Sequence, residues 1–520
     1  MKKLFAVILL VVVFTDAHAG EDAVSLMLSE AYKMAIEKNL DLRVELYNVA
    51  QFEADVQRSK ALYDPILAFQ ANYNYSPISV TTAGSSTASA PTLSNASSGG
   101  GIQPGNQPGV NLQTDTQIVI LNSSLSQLLW TGGTIAAVYN NMYTNTTFAN
   151  GQMPGSFLSS YWQTNAGLTF SQPLLKNFGR ENTEFNISLS HLSKYASMDH
   201  FRNRLAAILL QVHTEYFKLY GLREALRVRK LSLDLAQKIL TDTRSRVQAG
   251  ILPAMEILNA EFGVSSREKD LNDAEKLVRD QVDVLSLLLQ LPAGDDIVVV
   301  DAPKRDRYDV NEAEKIREAL NRYDILEQKK NLEIIELQTR INRNKTLPDL
   351  SLSATTFLTS LDNTYVGAIE KTPMWSVGVS LTYPIGNNSA ENEYRKSRLK
   401  AEQTALQIKS LEDSAANDVR AVIRAINSSY KQIDVTDRGR AFAEDRLRSF
   451  MRKNEVGLST TKDVLDAEND LMNAKNNQIQ ALVDYNNAIA KLWTVTGEII
   501  ERAGIRVVEG DADRLYRNAR

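Results

Sequence analysis

The sequence predicts a mixed α+β membrane protein in which alternating strands sit between very long helices, with the whole layout occurring twice. Three observations carry this. The stretch Gly250–Glu261, GILPAMEILNAE, returns as Gly457–Glu468, GLSTTKDVLDAE, with the Gly, the acidic residue and the Leu-x-Ala-Glu ending in one register. Two helical patterns, Glu181–Val247 and Glu391–Glu455, each run for about 65 residues, roughly 100 Å of helix. Between helices, residues alternate with period two: Leu67, Phe69, Ala71, Tyr73 and Tyr75 oppose Ala68, Gln70, Asn72 and Asn74.

The chain begins with the pattern of a secretory signal over residues 1–19. Lys2 and Lys3 give the charge, Leu4–Phe14 the apolar run and Ala17-His18-Ala19 the cleavage site, leaving Gly20 as the first mature residue. The 520 residues contain no cysteine, which excludes disulfides, thiolate metal sites, a cysteine nucleophile and a lipidated N-terminal cysteine. A formal net charge of −4 gives no reason to expect nucleic acid. After the N-terminus no apolar run is long enough for a transmembrane helix, so a membrane crossing would have to be a barrel.

In order, Val24–Leu62 is expected as one helix, stopped by Tyr63-Asp64-Pro65. Ile66–Tyr75 is a strand and Ser76–Leu112 a long loop rich in Ser, Thr, Gly, Pro and Asn. Within Gln117–Tyr143, two strand-like runs flank the turn Thr131-Gly132-Gly133-Thr134. A loop over 145–160 precedes the strand Tyr161–Ser171, which Pro173 ends. The first long helix follows, with the seam Leu205, Ile208/Leu209, Val212, Tyr216 and Leu219, its length indicating a coiled coil. It breaks at Gly250–Pro253 and returns as Ala254–Leu289. A connector, 291–310, holds a short strand near Ile297–Val300.

The second repeat starts with a helix, Glu312–Thr346, ended by Leu347-Pro348-Asp349. Strands Leu350–Ser360 and Trp375–Tyr383 flank a short loop, and Pro384 ends the second as Pro173 ended its counterpart. The second long helix has the seam Val419, Val422/Ile423, Ile426, Tyr430 and Ile433. Gly457 breaks it, and Asp463–Val495 is the last helix, with Leu482, Tyr485, Ile489 and Leu492. The expected organisation is therefore a signal (1–19), a first repeat (20–290), a connector (291–310), a second repeat (311–496) and a charged, irregular tail (497–520).

One apolar and one polar strand face suit an outer-membrane barrel, with Trp162, Trp375, Tyr73, Tyr75 and Tyr383 as interface residues. Four to six strands cannot close a barrel alone, because the smallest membrane barrels have about eight. The barrel must then be shared between chains, and the strand count does not fix how many. A soluble antiparallel sheet with one wet face, or a secreted or surface coiled-coil fibre or adhesin, reads from the same residues.

No constellation points to an enzyme. His191, His200 and His213 lie on one helix without i,i+4 metal spacing, and Gly99-Gly100-Gly101 follows no strand–helix phosphate pattern. No catalytic, cofactor or metal residue is assigned. By pattern alone, Glu256 and Asp463 read as first-turn acids favouring a helix N-terminus. Asp463 and Asp466, at i and i+3, share a face.

Over nearly all its mature length the chain resembles the TolC family of outer-membrane efflux proteins. The resemblance rests on the doubled layout and on Ala35–Leu42 (AIEKNLDL) before Tyr63-Asp64-Pro65. It rests also on Ser171-Gln172-Pro173-Leu174-Leu175, on Leu381-Thr382-Tyr383-Pro384-Ile385, and on Gly457-Leu458-Ser459 followed by Asp463-Val464-Leu465-Asp466-Ala467. It implies a homotrimer whose shared β-barrel lies in the outer membrane of a Gram-negative-type envelope and continues into a periplasmic α-helical coiled-coil barrel. It implies a passive exit duct, without cofactor, for tripartite efflux or type I secretion, docking with a periplasmic adaptor and an inner-membrane pump. Cargo would be drugs, other small molecules, metal ions or secreted proteins.

The resemblance also assigns Asp463 and Asp466 to the constriction at the periplasmic mouth. Up to six carboxylates from three chains would select cations, and their crowding would raise some pKa values. Glu256 would extend the ring or pair with Lys462 or Arg246. Gly250, Ile251, Gly457, Leu458 and Ser459 become the helix-reversal tips that meet an adaptor, and Pro65, Pro173, Pro348 and Pro384 the strand–helix junctions. Two departures stand out. Members commonly contribute four strands, and 117–143 could make six here. The tip is shorter than the prototype's, and its Tyr and Arg latch has no counterpart.

Overall fold

A computed structural model describes residues 24–81, 111–148, 160–292, 294, 296–362, 372–505 and 510–519. The expected signal, and most of each of the three expected strand loops, lie outside them. In chain order, β1 (Val24–Leu26), α1 (Leu28–Lys38) and α2 (Leu40–Lys60) lead into β2 (Ile66–Thr81), β3 (Asn111–Leu128), β4 (Thr134–Phe148) and β5 (Ser160–Pro173). A short α3 (Arg180–Thr183), the long α4 (Phe185–Gln248), α5 (Met255–Leu289) and β6 (Ile297–Val299) follow. The second half holds α6 (Glu312–Ala319), α7 (Tyr323–Asn344), β7 (Asp349–Asp362), β8 (Thr372–Thr382), α8 (Asn388–Glu455) and α9 (Thr461–Thr496), then α10 (Ile499–Arg502) and α11 (Gly510–Asn518).

Two compact units result. One is Ala54–Leu192 with Leu332–Gln403; the remaining segments form the other. In the first, six strands among the described residues form one antiparallel sheet in the order β2-β3-β4-β5-β7-β8, so the run 117–143 is a true hairpin. Paired residues of an antiparallel sheet share a face. The apolar face of β2 therefore continues through Leu121 and Leu125 of β3, Ile135 and Tyr139 of β4, Ala166 and Leu168 of β5, and Val377 and Val379 of β8. Leu67, Phe69, Trp375 and Val379 are exposed on it.

The prolines stand where strands meet helices. Their nitrogens cannot donate, but three of their carbonyls accept: Lys176 N–H donates to Pro348 O (3.4 Å), Asn387 N–H to Pro384 O (3.2 Å) and Gln172 Nε2 to Pro173 O (2.9 Å). Asn177 and Asn387 take positive φ (62° and 40°), which Asn tolerates better than most side chains.

The second unit holds the helical core. Leu205, Ile208, Leu209, Val212, Tyr216 and Leu219 are buried with Leu26, Leu285, Leu289 and Ile297, while Val419, Val422, Ile426 and Ile433 pack with Tyr485, Ile489 and Leu492. The expected seams are these residues, apart from Tyr430, which stays partly exposed. Tyr216 and Tyr485 tie down the connector. The Tyr216 hydroxyl donates to Leu26 O (2.9 Å) and accepts from Val300 N and Asp301 N. The Tyr485 hydroxyl donates to Asp306 O (2.7 Å) and accepts from Tyr308 N.

Three expectations need correction. Val24–Leu62 is not one helix. Val24–Leu26 pairs in parallel with β6, and Asn39 is extended, its Oδ1 accepting from Leu42 N (3.2 Å) and its Nδ2 donating to Leu288 O. Asn39 is thus an N-cap that restarts the helix. Glu312–Thr346 likewise breaks, at 320–322, where the Arg322 guanidinium holds both oxygens of Asp324. The tail is partly helical: Ile499 and Ile500 join the core, and Ala512 packs on Val49 and Met198.

Candidate gate and docking tip

The two helix reversals are built alike. Where α4 ends, Ile251 N–H donates to Arg246 O (2.9 Å) and Gly250 N–H to Val247 O (3.0 Å). Where α8 ends, Leu458 N–H donates to Lys453 O (2.8 Å) and Gly457 N–H to Asn454 O (3.1 Å). This double bond pattern closes a helix through a left-handed residue, and Gly250 and Gly457 supply φ of 73° and 77°. The residue after each glycine, Ile251 or Leu458, is largely exposed. The second tip is tightened by Ser459, whose hydroxyl donates to Phe450 O (3.1 Å) while its carbonyl accepts from Asn454 Nδ2 (3.0 Å).

The helix that follows differs between copies. Before α9, Thr460 is the N-cap of a reciprocal box: Asp463 N–H donates to Thr460 Oγ1 (3.2 Å), and Thr460 N–H donates to Asp463 Oδ2 (2.8 Å). The donors of Thr460, with Lys462 nearby, hold the Asp463 carboxyl below its ordinary range. Within one chain the shift is thus opposite in sign to that expected of a crowded ring. Asp466, one turn on, is exposed.

Glu256 does not pair with Lys462 or Arg246. Its carboxylate accepts the backbone N–H of Thr461 (3.2 Å), the first residue of α9. Arg246 instead pairs with Asp242 (2.9 Å) and donates to Asn454 O (2.7 Å). Both braces therefore run the same way, from side chains of the first reversal to the backbone of the second.

Behind the tips, α5 and α9 approach closely. A Cβ on Gly263 would lie 2.7 Å from Leu465 Cδ1. Leu447, Val464 and Ala467 form a small core with Leu235, Ile239 and Phe450. Below it sits a buried ion pair missing from the expected site. Arg267 donates twice to Glu468 Oε2 (2.8 and 3.2 Å) and once to Leu465 O, while Ser232 Oγ donates to Glu468 Oε1. Glu468 is only 3% exposed. It closes the repeated Leu-x-Ala-Glu motif, so a signal was present. Its counterpart Glu261 pairs instead with Arg244 at the surface.

The comparisons with known proteins agree with this architecture. The family model for Outer membrane efflux protein matches residues 133–289 and 316–498. The outer membrane efflux protein BepC of Brucella suis is 23% identical over 358 residues, covering 68% of this chain and 76% of BepC. Among solved structures, the outer-membrane channel OprN superposes with a TM-score of 0.65 at 14% identity, covering 91% of this chain and 90% of OprN. The Campylobacter jejuni outer membrane channel CmeC gives 0.64 at 15% identity, covering 94% and 89%. The fold is that of these channels, strands joined to long helices in two repeats. The chain belongs to the outer membrane efflux protein family.

Proposed function

We propose that this chain is the outer-membrane exit duct of a tripartite export system, passive itself and gated at its helix-reversal tips. Three copies close a shared barrel in the outer membrane, and their helices continue it into the periplasm. There the tips meet a periplasmic adaptor and, through it, an inner-membrane pump that selects the cargo, small molecules or proteins. The observation that carries this is the tip itself. Two reversals, the second braced by side chains of the first, carry exposed Ile251 and Leu458, beside a helix whose first turns hold Asp463 and Asp466. An exposed apolar residue at each tip suits a protein contact, and carboxylates repeated by symmetry around an opening favour cations.

The test is conductance in planar bilayers. The native protein should give small, cation-selective currents, and Asp463→Ala/Asp466→Ala should enlarge them or abolish the selectivity. Unchanged selectivity removes the gate assignment. Cysteines placed beside Gly457 should cross-link an adaptor in cells; release of the chain from the envelope with no conductance would favour a fibre.

A further inference from the structure

The hairpin β3–β4 raises this chain's share of the barrel to six strands. We infer that it is part of the barrel wall, so that three copies close 18 strands, a reading that rests on the outer-membrane trimer proposed above. Three independent features support it.

The first is pairing. β3 bonds to β2 along one edge and to β4 along the other, and β4 bonds onward to β5, with no slip in register. The hairpin therefore lies between β2 and β5 rather than on an outer edge of the sheet. The unpaired edges are β2 and β8. Alternating antiparallel order makes these two run in opposite directions, so β8 of one copy meets β2 of the next in the same antiparallel sense. Unpaired edges of 16 and 11 residues need such a partner.

The second is the faces. Leu121, Leu125, Ile135 and Tyr139 continue the apolar side of β2, which Ser123 and Asn141 also share, while Asn122, Ser124, Ser126 and Asn140 continue the side of Gln70, with Ile118 and Ile120 opposite Asn74 and Asn72. The apolar side is thus carried across the hairpin by Leu121, Leu125, Ile135 and Tyr139, as a strand of the wall requires.

The third is the turn, which is built into the strand–helix junction. Thr131 Oγ1 donates to Gln172 Oε1 (2.6 Å), Gln172 Nε2 donates to Thr131 O (3.1 Å), and Gly179 N–H donates to Thr131 O (3.0 Å). Gly132, at φ 87°, sits so close that a Cβ would lie 2.5 Å from Asn177 O.

With strands about 4.8 Å apart and tilted about 40°, 18 strands enclose a wall about 35 Å across between opposing backbones, against about 24 Å for twelve. The outer-membrane section is then wide.

Because the chain lacks cysteine, single cysteines test this cleanly. In the outer-membrane form, Asn122→Cys and Asn140→Cys should react with a membrane-impermeant maleimide about tenfold faster than Leu121→Cys and Tyr139→Cys, which lipid-borne quenchers should reach instead. Asn72→Cys and Tyr73→Cys in β2 report the barrel itself. Electron microscopy of the purified native trimer should resolve 18 strands. Alternation in β2 alone, or a twelve-stranded trimer, overturns the inference and leaves the exit-duct reading intact. No alternation in β2 overturns both.

Discussion

The carboxylate of Glu256, in the first helix reversal, accepts the backbone N–H of Thr461, where the second reversal turns into α9. A free helix N–H and the positive end of the helix dipole are thus satisfied from the other half of the repeat. Glu256→Ala should free the start of α9, at a cost of about 1 kcal/mol. Hydrogen exchange at Thr461 and its neighbours should rise about fivefold. Glu256→Gln, which still accepts a hydrogen bond, should lie between. Exchange that does not change in Glu256→Ala would show that the brace is not formed in solution.

The ion pair of Arg267 and Glu468 is a different kind of brace, because both side chains are mostly withdrawn from water. Removing one partner strands the other. Glu468→Ala or Arg267→Ala should therefore each destabilise by about 3–5 kcal/mol. Replacing both with apolar residues, Arg267→Met/Glu468→Leu, should recover most of that loss in chemical unfolding. A double variant as weak as the sum of the single ones would mean that the two do not act as a pair.

These two contacts show where the sequence can be read and where it cannot. Period and punctuation gave the long helices, the reversals at Gly250 and Gly457 and the strands, because each depends on neighbours within a few residues. The break at Asn39 and the pairing of Val24–Leu26 with β6 depend on residues some 250 positions away, and a three-residue strand has no period to detect. The same holds at the tip. The Asp463 box was visible as a first-turn acid, but that Glu256 reaches Thr461, or that Glu468 is buried while Glu261 is not, depends on how α5 and α9 pack. Gly263, which admits Leu465, carries no local sign of that role.

His213 in α4 is buried beside Phe217 and Trp493, with the Tyr32 hydroxyl 2.8 Å from its Nδ1. Burial pushes its pKa down to about 4 from the ordinary 6.5. A base whose folded pKa is depressed takes up its proton first in the unfolded chain. Its contribution is full above about pH 6.5 and falls as the pH drops toward 4, a loss of about 3 kcal/mol. Unfolding measured between pH 7 and 4.5 should show this slope, and His213→Gln, which can still bond Tyr32, should flatten it. An equal slope in both proteins would place its origin elsewhere.

Asp463 and Asp466 should not contribute equally to the proposed gate. The Asp463 carboxylate is engaged by Thr460, and those bonds keep it ionised to lower pH than an ordinary aspartate. The box is therefore intact above the ordinary carboxylate range and is lost only as pH falls through the lowered folded value. Asp466 is exposed. Asp466→Asn should then reduce cation selectivity more than Asp463→Asn, read as the reversal potential under a salt gradient. Asp463→Asn should instead loosen the start of α9, giving noisier openings with selectivity largely kept. The same noise should appear in the native protein only at acidic pH, once the box has lost its charge. Equal losses of selectivity in the two variants would mean that the Thr460 bonds do not persist in the assembled mouth, and that both carboxylates face the passing ions.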